Sequence, residues 1–165
     1  MKNTFEKHLH IVAFAVPYPP NYGGVIDVFY KIKALHQAGI KVHLHAFTYK
    51  QHAPSEELAK YCESIHYYPR QTGWKANCAI KPYIVQSRIS DELIKRLAKD
   101  DYPVLFEGLH TCGIIDHQRL RHKKKIYRES NIEHHYYFNL FRAELNNVTY
   151  FGNIDIILWY TNFFG

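Results

Sequence analysis

Cysteine is scarce in this chain: Cys62, Cys78 and Cys112 are odd in number, widely spaced and form no Cys-x-x-Cys pair. That argues against a disulfide framework or a thiolate metal site, and fits reduced thiols in a cytoplasmic protein. No stretch reaches the roughly 20 apolar residues of a membrane span, and residues 1–10 lack the apolar run of a secretory signal. No internal repeat or low-complexity segment occurs. Three glycine signatures are also missing. Without Gly-x-Gly-x-x-Gly or Gly-x4-Gly-Lys-Ser/Thr, the usual dinucleotide and P-loop readings fail. Without Gly-x-Ser-x-Gly, hydrolase chemistry has no nucleophile elbow.

What is present can bury a core: 47% of the 165 residues are hydrophobic and 16% aromatic, which rules out a disordered chain. The length suits one domain, or about half of a two-domain enzyme. The net charge of +6 comes from one place. Arg119, Arg121, Lys123, Lys124, Lys125 and Arg128 fall within ten residues that contain no acid, and the other 15 bases balance the 15 acids. The excess therefore needs a local explanation.

Hydropathy patterning gives alternating strands and helices. Residues 10–16 (HIVAFAV) read as a strand buried on both faces, ended by the prolines at 17, 19 and 20. Val25, Val28, Phe29, Ile32 and Leu35 then share one helical face, and Gly39 reads as a left-handed cap. Residues 40–46 alternate as a second strand, which completes a β-α-β unit. Beyond it, the pattern gives a short helix over 55–62 capped by Ser55, a strand over 64–68, a loop over 69–77 and a helix over 90–99 capped by Ser90. It continues with a strand over 104–106, a helix around 113–120, a strand over 125–128 and a helix from about 132 to 145. The fold class is α/β, a doubly wound, mostly parallel Rossmann-like sheet with helices on both faces. Residues 147–165 differ: Phe151, Trp159, Tyr160, Phe163 and Phe164 crowd a stretch whose only charge is Asp155. They read either as a sixth strand over 154–160 at the sheet edge or as an apolar surface that expects a missing domain or a partner, another copy included.

Several constellations carry chemistry. Gly23 and Gly24, next to Tyr22, join the first strand to the first helix; they form either a tight turn or an anion cradle at a helix N-terminus. Glu107 and His110 follow the fourth strand, at the sheet edge where ligands of open α/β folds collect. His110 there is a solvated loop residue, or a partner for a hydroxyl or a proton. Arg128, at the end of the fifth strand, either clamps a phosphate or carboxylate or pairs with Glu107 or Glu133. Ser130 and Glu133 have the spacing of a capping box, which accounts for both without a ligand. His43 and His45 share a strand face, and His134 adjoins His135, but no carboxylate or thiolate stands at a ligand spacing, so no metal site is expected.

Four stretches, in order, resemble the N-terminal half of a GT-B-fold glycosyltransferase of the large retaining family 4. They are residues 10–24, residues 35–42 (LHQAGIKV), residues 104–110 and residues 128–137 (RESNIEHHYY), the last being the most specific. The resemblance covers about residues 9–145. It implies that residues 1–146 form a Rossmann-like acceptor-binding domain facing a nucleotide-sugar domain across a cleft. Gly23 and Gly24 would lie near the donor diphosphate and the acceptor, and His110 would be the catalytic residue near the transferred sugar. Arg128, Asn131 and Glu133 would shape the acceptor side, and Tyr22 and Glu107 would join the substrate- and phosphate-binding residues. No metal or other cofactor is implied. The expected partners are a nucleotide-sugar and a glycan or lipid-linked acceptor, with the protein cytoplasmic or peripheral at the inner membrane face. The family's donor domain and its Glu-x7-Glu motif have no counterpart in these residues, so the expectation is a chain that folds but does not transfer sugar alone. The competing reading is a non-enzymatic module that uses the 119–128 cluster for nucleic acid or acidic lipid; the lack of interleaved aromatics speaks against nucleic acid. A nicotinamide-dependent enzyme fails on the glycine pattern and on Phe47, Thr48 and Tyr49, which stand where an acid would end strand two.

Overall fold

A computed structural model describes residues 6–49, 54–72 and 81–129. Five strands, β1 (Lys7–Ala13), β2 (Ile40–Thr48), β3 (Ser64–Pro69), β4 (Val104–Glu107) and β5 (Lys125–Arg128), form one sheet in the order β3-β2-β1-β4-β5. Every pairing is parallel. This is the doubly wound α/β sheet that the sequence predicts. The strand order reverses between β1 and β4, so a crevice opens at the carboxyl ends of these two strands.

Both faces of β1 are buried, as expected of a central parallel strand. Ile11 and Ala13 point to the side covered by α1 (Gly23–Gln37), where Val28, Phe29, Ile32, Leu44 and Leu58 complete a core. Val12 points to the other side, against Phe47, Tyr68, Leu93, Leu97, Val104 and Phe106. Helix α1 forms for the reason its sequence suggests: Val25, Val28, Phe29 and Ile32 are its buried residues and recur on one face. It ends at Gly39, whose φ of 75° is left-handed. Ser55 caps a 3₁₀ turn (Glu56–Lys60), and Ser90 caps α3 (Asp91–Leu97) by accepting from the Leu93 amide. A four-residue helix, α2 (Tyr83–Gln86), precedes α3.

Two boundaries differ from expectation. β1 runs over Lys7–Ala13 rather than 10–16, because the carbonyl of Phe14 accepts from Arg88 Nε (2.8 Å) instead of a neighbouring strand. At the other end His8 also belongs to the strand, because His43 on β2 supplies a partner for its polar ring. The expected helix around 113–120 is instead two 3₁₀ turns, Leu109–Ile114 and Gln118–Leu120. A Cβ on Gly113 would stand 2.8 Å from Ile89 Cγ1, so this backbone is pressed against its neighbour. His117 then opens the second turn by accepting from the Arg119 amide. The expected helix over 132–145 and the aromatic tail 147–165 lie outside the described residues.

His43 and His45 do share a face, but they are part of a hydrogen-bonded ladder at the amino-terminal end of the sheet. His10 Nε2 lies 3.0 and 3.1 Å from the two oxygens of Asp100, His10 Nδ1 lies 2.9 Å from His45 Nε2, and His45 Nδ1 lies 2.8 Å from Tyr68 Oη. The polarity follows from the carboxylate, which only accepts. His10 must donate from Nε2, so its neutral Nδ1 accepts from His45 Nε2, and His45 Nδ1 accepts from the Tyr68 hydroxyl. A parallel row links His8, His43 and Ser64 at 2.9 and 2.8 Å. Ring nitrogens engaged in this way are not presented to a metal, and among the described residues no cluster of three or more His, Cys, Asp or Glu could hold one. Burial, reinforced by neighbouring His10, His66 and His43, holds His45 well below the ordinary histidine range. Lys123 anchors the far end: its fully buried ammonium donates to Leu97 O (2.6 Å), Asp100 O (2.9 Å) and Asp100 Oδ1 (2.8 Å).

Candidate functional site

At the carboxyl ends of β1 and β4 the ring of Phe14 lies between Gly24, at the start of α1, and His110. Helix α1 opens at Gly23 with Tyr22 extended before it, and no side chain among the described residues caps its first amides. Gly24 sits against Phe14: a Cβ there would stand 2.8 Å from Phe14 Cζ. The Phe14 ring in turn packs on His110, with centroids 5.5 Å apart. Gly23 has nothing within 4 Å of an added Cβ. The two glycines therefore differ in role. Gly24 lets α1 approach the Phe14–His110 stack, whereas Gly23 faces open space. Gly24→Ala is expected to destabilise the chain by about 1–2 kcal/mol through overpacking, while Gly23→Ala changes the unfolding midpoint little. Thermal unfolding of the two variants side by side checks this, and equal effects would contradict it.

His110 follows Gly108, whose φ of 73° turns the chain sharply out of β4. The Thr111 hydroxyl holds that turn by donating to Gly108 O (3.0 Å). His110 Nδ1 is buried and, among the described residues, has no hydrogen-bond partner. Burial, with the positive charges of Arg88 and Arg70, pushes the imidazole down to about 3. At neutral pH it is an uncharged ring with a spare polar atom at the crevice. Such a group can accept from or donate to a ligand hydroxyl, but it holds no proton to deliver as an acid.

Glu107 and Arg128 come together across β4 and β5, and α1 completes the group. Glu107, only 1% exposed, accepts from Lys31 and lies 3.5 Å from Arg128; Arg128 also meets Asp27 at 2.7 Å, and Lys31 reaches Asp27 at 3.3 Å. Of the sequence alternatives for Arg128, pairing with Glu107 is therefore realised. Two acids and two bases cancel, so this quartet ties α1 to the edge of the sheet without adding net charge. Asn131 and Glu133 lie outside the described residues, as does the capping box begun at Ser130. The basic stretch 119–128 divides likewise: Lys123 is buried and Arg128 is ion-paired, while Arg119, Arg121 and Lys124 are exposed. It is not a single cationic patch. Cys62 and Cys112 are free, and burial raises both thiols to about 12, so neither is a nucleophile.

Arg70 and Arg88 are site residues that the sequence reading does not single out. Arg88 is buried, with Nε on Phe14 O and Nη1 on Ile84 O (2.6 Å). Arg70 follows β3 and donates from Nε to Ser87 Oγ (2.9 Å). Neither stands in a motif. The only local signal is that Arg88 stands just before Ile89 and three residues after Val85, where a charge near apolar neighbours needs a reason.

No family model and no solved structure matches the chain. It is 31% identical over 141 residues to the "Uncharacterized 44.6 kDa protein in cps region" of Klebsiella pneumoniae. The match takes in 81% of this chain and 36% of that protein, so the chain spans about a third of its relative's length. Among the described residues no helix is long and apolar enough to cross a membrane.

Proposed function

We propose that the chain is the acceptor-binding domain of a glycosyltransferase that moves a sugar from a nucleotide-sugar donor to a glycan or lipid-linked acceptor in polysaccharide biosynthesis. The observation that carries this reading is the placing of the α1 N-terminus and His110 on either side of the Phe14 ring at the switch point of a parallel sheet. In sugar transfer, positive charge gathers on the sugar ring while negative charge grows on the departing diphosphate. The first amides of α1 suit the diphosphate, because helix N-termini present N–H groups and positive dipole to anions. The uncharged His110 suits a sugar hydroxyl beside them. Tyr22, Ile26 and Tyr30 are exposed at i, i+4 and i+8 along α1, an apolar stripe leading away from the glycine turn that fits an acceptor with an apolar portion. The relative from a cps region, which is a capsule polysaccharide locus, supports the same biosynthetic setting. A donor domain elsewhere completes the active enzyme in this reading.

Titration of the ¹⁵N-labelled chain with a nucleotide-sugar and with a short-chain polyprenyl-linked saccharide tests it. The expected result is a shift of the Gly23, Gly24 and Val25 amides and of the His110 ring with at least one of the two. No change at any of these positions with either ligand at millimolar concentration would sink the reading.

A further inference from the structure

We propose that Arg70, with Arg88 behind it, forms a phosphoryl-binding subsite for the acceptor at the carboxyl ends of β2 and β3. The assignment to the acceptor rests on the glycosyltransferase reading; the anion chemistry does not. Arg70 is placed by its surroundings before any ligand arrives. Its amide donates to Thr48 O (3.0 Å), and Gln71 is tied to Ser87 O and Ile89 O at 2.8 Å, which stitches the end of β3 to the residues after α2. Its guanidinium carbon lies 5.0 Å from the ring centre of Tyr49 and 5.1 Å from that of Tyr83. Stacking on two rings, with Nε bonded to the buried Ser87 hydroxyl, fixes the plane of the group.

That arrangement uses one of the five N–H donors of an arginine. Among the described residues the terminal Nη1 and Nη2 of Arg70 meet no acceptor, and no carboxylate stands within ion-pair distance of them. A fork that cannot deprotonate, held rigid and half-buried with its donors unanswered, is a receptor for an oxyanion. Arg88 adds a second fixed positive charge close to His110 and Tyr22. The quartet of Asp27, Lys31, Glu107 and Arg128 pairs within itself, and neither of its acids pairs with Arg70. A phosphoryl group carries about −1.5 to −2 at neutral pH, against −1 for a carboxylate, and presents more acceptor oxygens to the open Nη1 and Nη2 of Arg70. β3 is an edge strand, two strands from β1, so Arg70 is carried by a different strand end from the glycine turn that suits the donor diphosphate, while its charge still reaches His110.

The test titrates the chain by calorimetry with inorganic pyrophosphate, with a short-chain polyprenyl diphosphate and with a nucleotide-sugar. Arg70→Gln is expected to weaken the first two at least tenfold and the nucleotide-sugar less than threefold. Arg70→Lys, which keeps the charge and loses the fork, is expected to bind closer to Arg70→Gln than to wild type. Arg121→Ala removes an exposed charge and is expected to change nothing. Unchanged binding in Arg70→Gln, a loss confined to the nucleotide-sugar, or an equal loss in Arg121→Ala would each overturn the subsite. Should Arg70→Gln unfold by circular dichroism, Tyr83→Leu removes one stacking ring with the charge intact and is expected to weaken pyrophosphate severalfold; wild-type affinity there counts against the proposal. Arg70-dependent pyrophosphate binding with no response to any sugar ligand would leave the subsite standing and remove the glycosyltransferase reading. Shifts at the Gly23–Val25 amides that are indifferent to Arg70 would do the reverse.

Discussion

Asp100→Ala is expected to lower the unfolding free energy by about 3 kcal/mol, at the low end of the range for stripping one partner from a buried ion pair. The low end applies because the Asp100 side chain keeps 27% of its exposure, whereas Lys123 has none. Its oxygens take Lys123 Nζ, His10 Nε2 and the Tyr102 amide. Burial alone would raise this carboxyl, but the bonds from Lys123, His10 and Tyr102 outweigh it and hold the group below its ordinary range. Removing it leaves the Lys123 ammonium with two backbone carbonyls and no counter-charge, and His10 with no acceptor. The lysine causes most of the damage, so Lys123→Met in the Asp100→Ala background is expected to recover much of the loss, since the long apolar stem fills the same space. Urea midpoints at pH 7.5 with unchanged slope measure both. An Asp100→Ala chain within 0.5 kcal/mol of wild type, or a double variant no better than the single, would refute the argument.

Parts of the fold were legible because their causes are local. The stripe Val25, Val28, Phe29, Ile32 needs only helical geometry, Gly39 only its left-handed backbone, and Ser55 and Ser90 only the donors next to them. The misses come from partners far along the chain. His8 looks too polar for a central strand until His43, 35 residues on, receives it. Phe14 looks like strand until Arg88, 74 residues away, claims its carbonyl. Lys123 counts toward the +6 in the sequence, yet it is buried on Asp100 and Leu97. The candidate site divides the same way. The glycine turn and the position of His110 follow from the β-α-β pattern and the strand-end rule. Which basic residues remain available does not: Arg128 is neutralised by Asp27 and Glu107, and Arg70 is raised to importance by tyrosines that no motif connects to it.

Stability is expected to fall steadily as pH drops below 6.5, well before carboxylates titrate. His10, His43, His45, His66 and His110 are all held below the ordinary histidine value, first by burial in every case. Above 6.5 these rings are neutral both folded and unfolded, so their full contribution is present. Below it the unfolded chain takes up protons that the folded chain refuses, and each such ring costs about 1.4 kcal/mol per pH unit until its folded value is reached. For His110, with a folded value of about 3, the loss by pH 5 is about 2 kcal/mol. His45, fully buried between His10 and Tyr68, adds to it, and the half-buried His43 and His66 add less. Asp100 works in a lower window: its depressed carboxyl contributes above the ordinary carboxylate value and loses that only as pH falls further. Urea midpoints from pH 8 to 5 are therefore expected to decline from 6.5 downward, and His45→Gln to lessen the slope by about one proton. The tautomers give an independent readout. ¹⁵N–¹H correlation of the rings is expected to find His10 and His45 protonated at Nε2 and bare at Nδ1, because the chain of donors ends on an acceptor-only carboxylate. A His45 that titrates near 6.5 in the folded protein, or carries its proton on Nδ1, would break the ladder at its centre.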